Sequence, residues 1–401
     1  MIKDRLIIVV FACLVFIVSN MLLNGYLSSY QSLGDEIAAP ADALHEWHLN
    51  KKAPFEYRIL FPAIVLSAWT ATRGENTAFY WSYVSISLIF FIGAALAFFQ
   101  LLLELRFSRR LSLTGVIIFL LLPPLLLAYT LPVHTREDTL AYLILCLGLL
   151  FLLRKQYVWF FSICLIGVLC RETLLILPFI FLFFVKDFSF WKRAFLASLP
   201  IVAWLALRIL VETNKAAYDP LEGFKWNLAN PAQVVVFAFI TFGPLWILWL
   251  GGRKLVLRKE SSKNMNERVQ MLARSAPWAL TLIIVTTFLG GIYNEIRLLY
   301  LGFPWVISLS LVFIKAYQDQ LRSAINSKGY IRGITGLILL AGVGYYFIFK
   351  NQDALLAITQ HDIPVLIWLT IGLVMTTITV AILLLIGVAH RQRTLSLNFH
   401  E

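Results

Sequence analysis

Three short stretches of this sequence set Arg beside a carboxylate between long apolar runs. "PVHTREDTLAY" (132–142) carries His134, Arg136, Glu137 and Asp138, "CRET" (170–173) carries Arg171 and Glu172, and "NEIR" (294–297) carries Glu295 and Arg297. A fourth, "GDEI" (34–37), puts Asp35 and Glu36 side by side. Adjacent carboxylates near a low-dielectric phase have the tunable basicity that general-base chemistry needs. Guanidinium groups grip phosphate through two parallel hydrogen bonds. Ionisable groups at apolar helix ends are costly unless paired or hydrated, so three such tips read as one polar cavity. The plainer alternatives stay open: Asp35 and Glu36 as ordinary acids of a hydrated loop, and Arg136 pairing with Glu137 or Asp138 to cap two helices.

The elements that must position these groups follow from composition. The chain has 401 residues, 60% of them hydrophobic and 14% charged, with a mean hydropathy of +0.80. Soluble domains carry roughly 25% charged residues, so this is an integral membrane protein. The net charge of +12 marks the loops that stay in the cytoplasm rather than a nucleic-acid partner, and no nucleic-acid motif is present. Cys13, Cys146, Cys164 and Cys170 lie in or at the edges of apolar runs and offer neither a disulfide framework nor paired metal-ligand spacing. The N-terminus "MIKDRLIIVVFACLVFIVSNMLL" has a basic start, an apolar run and no small-residue cleavage site, the pattern of a retained signal anchor.

A spanning helix needs about 20 mostly apolar residues. The runs 6–23, 78–103, 112–131, 140–153, 158–170, 173–185, 194–211, 232–250, 277–292, 298–314, 333–349 and 364–389 predict about 12 transmembrane helices in an all-α polytopic fold. The segment 158–185 reads either as a hairpin of two short pieces or as one long helix with Arg171 and Glu172 at its centre. Charge favours the hairpin. It leaves about two thirds of the 34 Lys and Arg inside, including the basic loop at 251–276, as the positive-inside rule requires. About two thirds of the 22 carboxylates then fall outside. Both termini are expected in the cytoplasm.

The first outer loop, 24–77, contains "YRILFPAIVLSAW" (57–69), too short to span and suited to an interfacial helix. Arg58 beside it is placed for a lipid phosphate, the alternative being a snorkelling side chain. "HEWH" (45–48) puts two imidazoles three apart without a third ligand, so solvated histidines are the expectation and no metal site is assigned.

In their order and sidedness these pieces resemble the GT-C superfamily of polytopic glycosyltransferases, which use polyprenyl-phosphate sugars as donors. The resemblance rests on the acid pair Asp35 and Glu36 after the first span, on Asp138 opening the fourth in "REDTLAYLILCLGLLFLL", on "GVLCRETLLILPFIFL", and on "YNEIRLLYLGFPWVISL". It implies a GT-C-like catalytic membrane module over 1–211, with 212–401 as variable C-terminal helices completing an outer-face cavity. It implies that Asp35 or Glu36 is the catalytic base, that Arg58, Arg136, Arg171 and Arg297 are the candidates to hold the donor phosphate, and that His134, Glu137, Asp138, Glu172 and Glu295 support them. The implied reaction is sugar transfer from a polyprenyl-phosphate donor to a lipid-linked or small acceptor by an inverting displacement. Some relatives use a divalent metal and others none. The expected setting is a bacterial inner (plasma) membrane, with bilayer lipid and an acceptor glycan or lipid-linked acceptor as partners. The competing classes are a transporter or flippase of a lipid-linked or amphipathic substrate, a polysaccharide polymerase or ligase, and a noncatalytic scaffold.

Overall fold

The computed structural model describes residues 2–28, 58–71, 76–126, 138–210, 222–258, 266–290, 296–325, 328–350 and 365–398, and every regular element among them is helical. In chain order the helices are α1 (Ile2–Ser28), α2 (Leu60–Ala71), α3 (Asn76–Glu104), α4 (Arg109–Leu121), α5 (Pro123–Leu126), α6 (Asp138–Leu153), α7 (Tyr157–Cys170), α8 (Ile176–Phe184) and α9 (Phe190–Leu210). They continue as α10 (Glu222–Ala229), α11 (Pro231–Phe242), α12 (Leu245–Leu257), α13 (Glu267–Gly290), α14 (Ile296–Leu299), α15 (Phe303–Ala316), α16 (Gln318–Ile325), α17 (Lys328–Lys350) and α18 (Val365–Asn398).

Among the described residues, five helices are long and apolar enough to cross a membrane, or up to seven if each of two bent pairs is one span. This corrects the expected twelve, and the reason is length. The runs at 140–153, 158–170 and 173–185 form helices of 16, 14 and 9 residues, the last preceded by a four-residue 3-10 turn. At 1.5 Å per residue these reach about 24 Å or less, short of the roughly 30 Å hydrocarbon core. The run 112–131 is cut at Leu122, whose ψ of 145° leaves the helical region, because the residue before a proline is pushed out of it and Pro123 follows. The run 232–250 is broken at Gly243, whose φ of +50° and ψ of −125° a side chain would resist, and the two halves meet at 68°. α1 opens with Lys3, Asp4 and Arg5 and is not one of the five.

The segment 158–185 is a hairpin. Tyr157 at the start of α7 lies edge-on to Phe181 near the end of α8, with ring centroids 5.8 Å apart, and Phe160 stacks on Phe181 at 5.7 Å. The second helix therefore returns alongside the first, and the reversal falls at Arg171.

Charged side chains gather at helix ends, at two ends of the bundle. At one end, here the basic end, Glu104 accepts from Arg154 Nε at 2.7 Å and lies 2.5 Å from Arg268 Nη1. This ties the ends of α3 and α6 to the start of α13. Nearby turns are closed the same way. Asp187 accepts from Tyr157 Oη at 2.6 Å and pairs with Lys155 at 3.0 Å. These hydrogen bonds, Tyr157's first and then Lys155's, hold the Asp187 carboxyl below its usual value. Arg193 donates to the carbonyls of Leu182 and Val185 at 2.8 and 2.6 Å, capping the end of α8. α3 and α6 both end in left-handed closures at this end, with Arg106 at φ 64° and Lys155 at φ 58°. In each, backbone N–H groups from Arg106 and Phe107, or from Lys155 and Gln156, return to the last turn of the helix.

Among the described residues, the main apolar core draws on both 1–211 and 212–401. Its centre is aromatic. Phe303 packs on Phe119 at 4.5 Å and edge-on to Phe98 at 5.0 Å, and Tyr300 lies edge-on to Tyr142 at 5.5 Å. The Tyr300 hydroxyl donates to the Phe119 carbonyl at 2.5 Å, so a buried phenol keeps a partner as burial demands. α12 and α15 meet through Gly252, where an added Cβ would lie 1.9 Å from the Leu309 carbonyl oxygen. Only hydrogen allows that approach.

Candidate functional site

Four of the charged groups singled out from the sequence meet at the end of the bundle opposite the basic end. Each arrives on a different local device. Asp138 is the first residue of α6 and is buried; the positive end of the helix macrodipole favours a carboxylate there. Arg171 occupies the break after α7 in extended backbone, φ −162° and ψ 134°, with its N–H still donating to Gly167 at 2.8 Å. The extended residue redirects the chain, and Glu172 opens the 3-10 turn Glu172–Leu175. Arg58 precedes α2, and α2 is pinned to α3 by Phe61, which lies edge-on to Tyr83 with ring centroids 5.2 Å apart.

The four form two linked ion pairs. Arg171 pairs with Asp138, and Arg58 Nη2 donates to Glu172 Oε1 at 2.8 Å. Arg171 is 2% exposed, Asp138 5% and Arg58 9%, while the Glu172 side chain remains partly open. Burial opposes ionisation of Glu172, yet the charge and hydrogen bond of Arg58, with the charge of Arg171, pull its carboxyl down to about 2. The cluster is neutral in sum, and its members alternate in sign. Close packing fixes the tip: at Gly167 a Cβ would meet Ile144 at 3.2 Å and Leu174 at 3.3 Å.

This arrangement fits some roles better than others. A general base works best with a pKa near the operating pH; Glu172 is far too acidic, and Asp138 is held by Arg171. The two carboxylates are suited to orienting guanidinium groups. Arg58, next to the partly open Glu172, is the guanidinium an anionic headgroup would reach by competing with a carboxylate. Among the described residues, no group of three or more His, Cys, Asp and Glu is gathered as a metal would require.

Asp35, Glu36, His134, Arg136, Glu137 and Glu295 lie outside the described residues. Arg297 lies on α14, a short helix whose neighbours include α5, the last described element before 127–137. Arg208 stacks over Trp204 on its own helix at 4.6 Å. Sequence reasoning missed the pairing of Arg58 with Glu172 across 114 positions, and it missed Glu104 as the hub of the basic end. Both sit where an apolar run stops at a charged residue, the one signal that pointed to them. No family model, curated protein or solved structure matches the chain.

Proposed function

We propose that the chain is a GT-C-like membrane glycosyltransferase, moving a sugar from a polyprenyl-phosphate donor to a small or lipid-linked acceptor at the outer face of a bacterial inner membrane. In this reading the basic end and both termini face the cytoplasm, and α2 lies at the outer interface. One observation carries the proposal: two guanidinium groups and two carboxylates, drawn from three separate connections, share one largely buried cluster at the end opposite the basic one. In sequence that cluster adjoins His134, Arg136 and Glu137.

The chemistry is a single displacement. The acceptor hydroxyl oxygen attacks the anomeric carbon, and the bond from that carbon to the phosphate oxygen breaks. The phosphate leaves with the bonding electron pair, and the hydroxyl proton passes to Asp35 or Glu36. A fixed guanidinium stabilises the charge that develops on the leaving phosphate. Arg136 and Arg297 share that role with Arg58, while Arg171 is set by its pair with Asp138 to hold the scaffold.

The test is transfer by purified protein supplied with labelled polyprenyl-phosphate sugars and lipid-linked acceptors. Asp35→Asn or Glu36→Gln is expected to cut turnover by roughly 10²–10⁴-fold, the usual loss when a general base is removed, with unchanged elution and melting. Full activity in both variants would remove the assigned base. Absence of any covalent product, with movement of the lipid-linked sugar between leaflets of proteoliposomes, would favour the second reading, a flippase or transporter. The 68° break between α11 and α12 at Gly243 is the feature that favours it, because such proteins build their sites at broken helices.

A further inference from the structure

At the basic end, remote in the chain from the charged cluster, α12, α15, α16 and α18 line an open groove of about 400 Å³. That is within the roughly 300–1,000 Å³ typical of small-molecule sites. Its walls are hydrocarbon: Leu248 from α12, Phe313 from α15, Leu321 from α16, and Ile382 and Ile386 from α18. The polar groups on its lining are Gln318 and Arg322, both on α16 and both exposed.

The helix that carries them is built for a membrane surface. α16, "QDQLRSAI", bends 73° away from α15, so it crosses the end of the bundle instead of continuing along it. Asp319, Arg322 and Ser323 are exposed while Ala324 is buried and Leu321 half-buried. An amphipathic helix turned across the end of membrane spans lies at headgroup depth. Lys315, exposed in the last turn of α15, adds a second cation beside it.

We propose that this groove holds one anionic phospholipid of the adjoining leaflet, with an acyl chain between α12, α15 and α18 and its phosphate on Arg322. The groove is apolar along its depth and cationic at its rim, the polarity of an anionic lipid read from tail to head. Basic pockets between helices at a cytoplasmic face take anionic headgroups on this principle, and guanidinium binds phosphate in two-pronged fashion. A second copy of the chain is a poorer occupant, because a two-fold contact through this groove would bring Arg322 towards its own copy. The assignment is independent of the transferase reading, since it uses none of Arg58, Asp138, Arg171 and Glu172.

The experiment uses the full chain purified in detergent and challenged with phosphatidylglycerol or phosphatidylcholine of identical acyl chains. Thermal melting and native mass spectrometry are the readouts. Phosphatidylglycerol is expected to raise the melting temperature more than phosphatidylcholine and to be retained preferentially at one per chain. Arg322→Gln should erase that preference while leaving the response to phosphatidylcholine, Arg322→Lys should keep most of it, and Ile386→Trp should lower retention of both by filling the groove. The proposal is overturned if Arg322→Gln keeps the preference, or if Ile386→Trp still retains the lipid. It is equally overturned if the chain forms a dimer that Ile386→Trp abolishes. Should Arg322→Gln fail to fold, competition between the two lipids on the wild-type chain decides alone: equal retention overturns the proposal.

Discussion

Removing one partner of the Arg171–Asp138 pair should be far more damaging than removing both. The two residues are 2% and 5% exposed, so removing either one takes an opposite charge away from a group held in a low-dielectric setting. Losing a single partner of such a pair typically costs about 3–5 kcal/mol, whereas replacing both with apolar groups of similar volume is often neutral. Against a total folding stability on the order of 5–15 kcal/mol, each single change is a large fraction. We expect Arg171→Met and Asp138→Leu each to lose about 3–5 kcal/mol. The double variant should be more stable than either by about 2 kcal/mol or more. Denaturant unfolding of the detergent-purified chain, followed by tryptophan fluorescence, measures the four corners of the cycle. Arg154→Met is the comparator: the Arg154 side chain is 37% exposed in its pair with Glu104, so its loss should cost no more than about 1 kcal/mol. If Arg171→Met costs as little as Arg154→Met, or if the two single costs simply add, the cluster is not a buried electrostatic unit and the case for a built site falls with it.

Gly252→Ala should destabilise by about 1–3 kcal/mol, the usual range for overpacking, because its Cβ would meet a backbone carbonyl at 1.9 Å. Gly336→Ala, with nothing within 4 Å of the new atom, should be neutral or gain up to about 1 kcal/mol from helix propensity; equal melting of the two variants would refute the close contact. The Arg58–Glu172 pair should depend on pH with a definite sign. Because the folded carboxyl titrates at about 2 against an ordinary 4.5, its stabilisation is complete above about pH 4.5 and fades as pH falls towards 2. The stability gap between wild type and Glu172→Gln should therefore stay flat from pH 8 to about 5 and narrow below that; a gap that closes between pH 7 and 5 would contradict the pairing. For sidedness, a cysteine placed at Ser262 in the background lacking Cys13, Cys146, Cys164 and Cys170 should react with a membrane-impermeant maleimide only in inverted vesicles. Labelling in intact cells would reverse the orientation.

Hydropathy made the long elements legible because burial in lipid demands one property, apolar length. Over the described residues, the runs at 78–103, 194–211, 333–349 and 364–389 fall in helices of 21 residues or more. The same measure misjudged the middle of the chain. α6 is almost wholly buried among other helices, and a helix surrounded by protein needs apolar residues without needing the length of the bilayer. An apolar run of 14–16 residues therefore means burial, and only a run near 20 means crossing. Breaks at Leu122 and Gly243 were written locally, in Pro123 and in the Gly243–Pro244 step, but the apolar residues on either side outweighed them in a window average.

The candidate site was legible as a set of residue types and illegible as a set of pairs, and the difference bears on mechanism. Sequence spacing identified Asp138, Arg171, Glu172 and Arg58 because charge at the end of an apolar helix is expensive and must be compensated. Which carboxylate serves which guanidinium depends on how α2, α6 and the α7–α8 hairpin dock, information spread over more than a hundred positions. The pairing found leaves the two arginines unequal. Arg171 faces Asp138 in a nearly closed environment, so a phosphate would have to displace a buried carboxylate and leave it without its principal counter-ion. Arg58 faces Glu172, whose side chain is 29% exposed against 6% for Asp138, so a carboxylate released from Arg58 could reach water more readily than one released from Arg171. A phosphate ligand at this end of the bundle should therefore engage Arg58 first. Under the proposed transferase function, Arg58→Ala would then weaken binding of the donor phosphate while Arg171→Met would lower stability, and the reverse assignment of those two effects would overturn this division of roles.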